Sequence, residues 1–142
     1  MSLSINFFTE EISFTLKHKL KVRAWIVDVI KREQKQPGEL NFIFCSDIYL
    51  LTINRQYLNH DTYTDIITFD NIEDESRISG DIFISVDRVR ENAGHLKIPE
   101  VSELHRVIIH GVLHLVGYSD KKPDKKKEMT SKEDLYLSLR NF

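Results

Sequence analysis

The stretch Arg106-Val107-Ile108-Ile109-His110-Gly111-Val112-Leu113-His114-Leu115-Val116-Gly117 reads as the end of a helix that is apolar nearly all round. A helix without a polar face has to be covered on most sides, so this one is expected at the centre of the fold, with Pro99 in its first turn and its end near Val116. The two imidazoles interrupt the apolar run at a spacing of four, which sets His110 and His114 one turn apart on one face. Two ligands sharing a metal ion need that placement. Left without partners in such a run, each imidazole would cost on the order of 1 to 3 kcal/mol, whereas one ion satisfies both.

A third ligand has to come from elsewhere in the chain. Gly117 can take the positive φ that ends a helix, and the turn through Tyr118 and Ser119 brings Asp120 back toward the pair. Asp124 and Glu128 stand in reach of the same turn and remain alternatives. With six histidines in the chain, a pair at this spacing arises by chance about 0.25 times, and adding the glycine and a following Asp or His lowers that to about 0.001. His105, nine positions before His114, belongs to the opposite side of the helix.

Outward from that helix, Val22, Trp25, Ile26, Val29 and Ile30 mark an amphipathic helix that Pro37-Gly38 is expected to stop. Residues 40–45 have strand composition, and Ser46 or Asp47 can cap a helix through Leu50, Ile53 and Tyr57. Residues 66–69 and 80–86 read as an antiparallel pair joined by the acidic stretch 71–79, and a helix follows over 87–96. A last helix starts near Lys125 or Ser131 and runs to Arg140, with Thr130-x-x-Glu133 as a capping box. The expected fold class is α+β: a small mixed β-sheet packed by helices, with a central buried metal-binding helix, in a single domain over residues 1–142.

The 142 residues are 41% hydrophobic, carry a net charge of -2 and include no apolar run near the ~20 residues of a membrane span. The opening Met1-Ser2-Leu3-Ser4-Ile5-Asn6 lacks the basic start and apolar core of a secretion signal, so no membrane and a cytoplasmic location are expected. The single cysteine, Cys45, reads as a buried apolar residue. Any affinity for nucleic acid has to be local. Lys17, Lys19, Lys21 and Arg23 with Lys31 and Arg32 form one basic cluster, and Lys121, Lys122, Lys125, Lys126 and Lys127 form another beside the metal motif, in what reads as a solvated loop.

The segment from His110 to Tyr118 resembles the YbeY family of bacterial endoribonucleases and rRNA maturation factors, whose signature is His-Gly-x-Leu-His-Leu-x-Gly-Tyr-Asp-His. Asn54, Tyr57 and the run Thr64-Asp65-Ile66-Ile67-Thr68-Phe69 are similar to a second family segment, and Gly80-Asp81-Ile82-Phe83-Ile84-Ser85 to its next strand. The resemblance implies a metal-dependent single-strand endoribonuclease acting in 16S rRNA 3′-end maturation and ribosome quality control, with rRNA, the ribosomal subunit and its proteins as partners.

Two positions depart from the family pattern. Its third histidine falls at Asp120, where a carboxylate lowers the net charge of the site, so slower hydrolysis is expected near neutral pH. Leu58 stands where many relatives have an arginine after the tyrosine, so phosphate contact has to rest on other cations.

Three protein ligands, His110, His114 and Asp120, suit a catalytic ion with an open position, and imidazole plus carboxylate suit zinc first, with nickel or manganese also compatible. No catalytic residue is assigned: Asp65 and His60 are polar neighbours in prospect, each more readily explained by turn or strand-edge bonding. Tyr118 is expected to pack at the helix end. Gly111 occupies the place where a zinc protease of the His-Glu-x-x-His type needs its glutamate, which disfavours peptide hydrolysis. A rival from another class is a ribosome-assembly factor whose metal holds the fold without cutting.

Overall fold

A computed structural model describes residues 4–142; the expectation for Met1, Ser2 and Leu3 lies outside the described residues. The elements run β1 (Ser4–Glu10), α1 (Lys19–Arg32), β2 (Gln36–Cys45), α2 (Asp47–Leu58), β3 (Ile66–Asp70), β4 (Arg77–Ser85), α3 (Val86–Leu96), α4 (Glu100–Val116) and α5 (Pro123–Ser138). The four strands form one mixed sheet in the order β1-β2-β4-β3, parallel from β1 to β4 and antiparallel at β3. The architecture is α+β, as expected.

Period-two alternation sorts the strand residues between two faces. Ile5, Phe42, Phe44, Ile78, Ile82 and Ile84 join α1, α3 and α4 in the main core, while Cys45 and Ile67 meet Leu50 and Ile53 of α2 in a smaller cluster. In α4, Leu104, Val107, Ile108, Ile109, Val112, Leu113 and Leu115 are all buried. Gly111 lets this helix approach the sheet, because a Cβ there would stand 2.9 Å from Ile66 Cδ1 and 3.0 Å from Ile82 Cγ2. None of the helices among the described residues is long and apolar enough to cross a membrane.

Three expectations need correction, and one strand was not anticipated. Strand β1 carries no reading from the sequence, since only Ile5 is fully buried in it and its pairing partner lies 35 positions on. Helix α1 ends at Arg32, closed by Glu33 and by a left-handed Gln34 (φ 63°), while Pro37-Gly38 belongs to β2 at a shift in its register with β4. Proline lacks an N–H, and an irregular point in the ladder tolerates that loss. Helix α5 starts at Pro123, a favourable first helical residue, so Lys125, Lys126 and Lys127 lie in its first turns and not in a loop. For the same reason Thr130 and Glu133 are mid-helix, and the capping box does not exist.

Two end signals hold: the Ser46 hydroxyl accepts from the Tyr49 N–H at 3.1 Å, and Pro99 precedes α4 as its cap.

Candidate metal centre

The last turns of α4 bring the His110 and His114 rings to 4.4 Å between centroids, nearly perpendicular at 86°. Gly117 takes φ 127°, and the N–H groups of Gly117 and Tyr118 both return to Leu113 O, at 3.1 and 3.0 Å. The reversed chain delivers Asp120 Oδ2 to 3.2 Å from His110 Nε2 and 3.6 Å from His114 Nε2. His110, His114 and Asp120 are the group among the described residues able to hold a cation, with donor atoms all within 4.8 Å of one another.

Hydrogen bonds on the far side of each ring decide which nitrogen carries the proton. His114 Nδ1 lies 3.1 Å from Tyr118 O, and a carbonyl only accepts, so that nitrogen holds the hydrogen. His110 Nδ1 lies 2.6 Å from Glu133 Oε2, a carboxylate acceptor. Both Nε2 lone pairs therefore face the same point, 2.9 Å apart, with the Asp120 carboxylate beside them. Three electron-rich donors crowded together repel one another unless a positive charge lies between them. The donor set fits a divalent cation.

The electrostatic surroundings agree. Burial pulls the His110 pKa down, but the hydrogen bond and charge of Glu133, with Asp120 and Asp65, outweigh it and leave the pKa raised. Burial and the neighbouring His110 lower that of His114. The carboxylates that favour a positive charge at His110 equally favour a metal.

The site opens into a cleft of about 260 Å³ whose walls include Asp65, Glu103, Arg106, Asp120, Lys126 and Glu133. Burial raises the Asp65 carboxyl above its ordinary range, opposed by the charges of His110 and Arg88. Arg106 is committed to Glu133 at 2.8 Å and Asp134 at 2.7 Å. Lys126, from the second basic cluster, reaches this cleft, whereas Arg23 of the first donates to Ile5 O at 3.0 Å and lies over the Phe7 ring.

Other polar residues singled out by sequence lie elsewhere. Glu128 faces Lys125 at 3.9 Å in a separate recess behind the turn, and Asp124 sits in the first turn of α5. His60 is exposed in the loop after α2, where its N–H donates to Asn54 O at 3.1 Å. His105 is buried with Trp25 and Phe142, and its Nδ1 accepts from Arg140 at 2.7 Å. Leu58 is 40% exposed at the end of α2, and Arg55, one turn earlier, pairs with Asp61. Gly111 faces the sheet, so a side chain there would enter the core and not the cleft.

Sequence reading missed Glu133 as the residue that orients His110. A signal existed: Met129, Glu133 and Tyr136 share the buried face of α5, and an acid in an apolar stripe demands a partner. Tyr118 packs at the helix end as expected, and it also donates its hydroxyl to Glu33 Oε1 at 2.7 Å.

Fold and site together define a class: a small α+β protein whose central helix and following turn bring two imidazoles and a carboxylate together beside an open cleft that His110 and Asp120 line. The family pattern of endoribonuclease YbeY matches residues 4–140. An endoribonuclease YbeY of Cytophaga hutchinsonii is 51% identical over 139 residues, covering 98% of this chain and 97% of its own. One from Flavobacterium psychrophilum is 53% identical over 133 residues, covering 93% and 94%. The solution structure of the Thermotoga maritima protein TM1509 superposes with a TM-score of 0.67 at 28% identity, over 94% of this chain and 87% of that one. The chain belongs to the endoribonuclease YbeY family.

Proposed function

We propose that this protein is a metal-dependent endoribonuclease that cleaves single-stranded RNA and acts in 16S rRNA 3′-end maturation and ribosome quality control from the cytoplasm. One domain over residues 1–142 carries the activity, with His110, His114 and Asp120 holding one ion, zinc first and nickel or manganese as alternatives. The observation that carries this reading is the commitment of both Nδ1 hydrogens to Tyr118 O and Glu133, which leaves both Nε2 lone pairs converging with Asp120 on one point of an open cleft.

A divalent cation held by His110, His114 and Asp120 would supply Lewis acidity toward a phosphate oxygen and would offset the negative charge that grows as the P–O bond to the leaving oxygen breaks. The protein's own groups do the rest. Lys126 stands on the cleft wall to hold a backbone phosphate without reading sequence. Asp65 lines the same cleft, its carboxyl raised by burial. Glu133 and Tyr118 O keep the two imidazoles in the tautomer that binds metal.

The test is incubation of purified protein with a single-stranded rRNA fragment, with and without chelator, beside His114→Ala. Cleavage lost in the chelated and mutant samples is expected. Cleavage that persists in His114→Ala would mark a contaminant and remove the enzyme reading.

A second reading, which rests on Asp120 in place of the family's histidine and Leu58 in place of its arginine, is a ribosome-assembly factor that binds without cutting. A folded, metal-free His114→Ala protein that still supports ribosome maturation is the result that reading requires.

A further inference from the structure

Behind the metal-bearing turn, on the side away from the cleft, one buried carboxylate gathers three donors. Glu33 closes α1, and its side chain is 8% exposed. Its Oε1 accepts from the Tyr118 hydroxyl at 2.7 Å, and its Oε2 accepts from Lys132 Nζ at 3.3 Å and from the Tyr136 hydroxyl. A carboxylate this deep is stable only when donors meet its charge, and here they do. Of the three, only Tyr118 lies in the turn between His114 and Asp120.

Tyr118 is held at both ends. Its carbonyl receives the His114 Nδ1 hydrogen at 3.1 Å, and its hydroxyl is fixed by Glu33. The turn itself begins at a glycine with φ 127°, where the backbone imposes little restraint, and Asp120 lies beyond the last helical hydrogen bonds of α4. Something outside the turn has to set where Asp120 falls. Joining α1 to α5 does not require Glu33, because Trp25 Nε1 already donates to Tyr136 O at 2.8 Å.

We propose that Glu33 is a positioning residue for the metal centre: through the Tyr118 hydroxyl it fixes the 117–120 turn, and thereby the orientation of His114 and the place of Asp120. The inference rests on the metal-site reading above. It assigns a role in cation binding to a residue on a different helix, with no contact to the donor atoms themselves.

The test is zinc affinity by competition with a chromophoric chelator, together with the visible absorption spectrum of the Co2+-loaded protein, which reports ligand geometry without any activity assay. Tyr118→Phe and Glu33→Ala are each expected to weaken zinc by about tenfold or more and to alter the Co2+ spectrum. The double variant should lose no more than either single one, because both break the same link. Glu33→Gln, which keeps an acceptor for the hydroxyl, should recover most of the loss. Tyr136→Phe removes another Glu33 donor but leaves the turn tied, and should bind zinc as the wild type does.

Should Glu33→Ala fail to fold, Tyr118→Phe decides alone. Unchanged affinity and spectrum in Tyr118→Phe would overturn the proposal, as would an equal loss in Tyr136→Phe. A wild-type protein that takes up neither Zn2+ nor Co2+ would instead overturn the metal-site reading, and this inference with it.

Discussion

Glu133 Oε2 stands 2.6 Å from His110 Nδ1, although 23 positions separate the two residues and different helices carry them. The contact locks the imidazole of His110 with its Nε2 turned toward His114 and Asp120, and Arg106 at 2.8 Å steadies the carboxylate. A ligand histidine with a carboxylate behind it is both oriented and made more basic.

Glu133→Gln keeps an acceptor but removes the charge, and a loss of about 10-fold in zinc affinity is expected. Isothermal titration against a competing chelator measures it. Unchanged affinity would mean that orientation of His110 does not depend on the carboxylate.

Asp120→Ala is expected to purify with less bound metal than the wild type by elemental analysis, since it removes one of three donors. Asp120→His should retain the ion and cleave RNA faster near neutral pH, because an imidazole restores the site's positive charge. Metal content unaffected in Asp120→Ala would show that the third ligand lies elsewhere.

His105 supplies a pH dependence away from the cleft. Burial first, then the charges of Arg140 and His18, push its pKa from 6.5 down to about 4. The unfolded chain therefore binds a proton below pH 6.5 that the folded protein refuses until about pH 4, and stability falls as pH drops through that window. The contribution is on the order of 3 kcal/mol. In chelator-treated samples, the urea midpoint of His105→Gln should decline less between pH 6.5 and 4 than that of the wild type. Parallel pH profiles would remove His105 as the cause.

Gly111→Ala tests the close approach of α4 to the sheet. The added Cβ would crowd Ile66 and the fully buried Ile82, an overpacking cost of about 1 to 3 kcal/mol, offset by up to about 1 kcal/mol of helix propensity. A net destabilisation of about 1 kcal/mol is expected from denaturant titration. A more stable variant would show that the helix can lift away freely.

Cys45 is fully buried, and burial with the nearby charges of Asp47 and Asp87 raises its thiol to about 12. It should resist a thiol-specific chromogenic reagent at pH 8 in the native protein and react at once in denaturant. Rapid native labelling would show that α2 opens from the sheet.

Local pattern was enough for much of the centre. The spacing of His110 and His114, the glycine after them and the apolar surroundings of both are contiguous features, and helical periodicity converts them directly into a shared face on a central helix. The antiparallel β3–β4 pair, the Ser46 cap and the return of Asp120 to the imidazole pair follow from similarly short-range chemistry.

Residues distant in the chain supply the rest. Glu133 reads locally as half of a capping box and becomes the support of His110 only because α5 begins ten residues earlier and packs along α4. Glu33 carries no signal in the sequence, and only the fold closes Tyr118, Lys132 and Tyr136 over it. Pro37-Gly38 signals a stop when taken alone, yet parallel pairing of Pro37 with Ile78 of β4 holds it in a strand. Periodicity and turn chemistry are properties of neighbours in the chain, so the amino-acid order alone specified the two imidazoles, their helix and the turn to Asp120. Which acids stand behind those imidazoles depended on helix packing across dozens of positions, and only the folded chain brings such groups within hydrogen-bond reach.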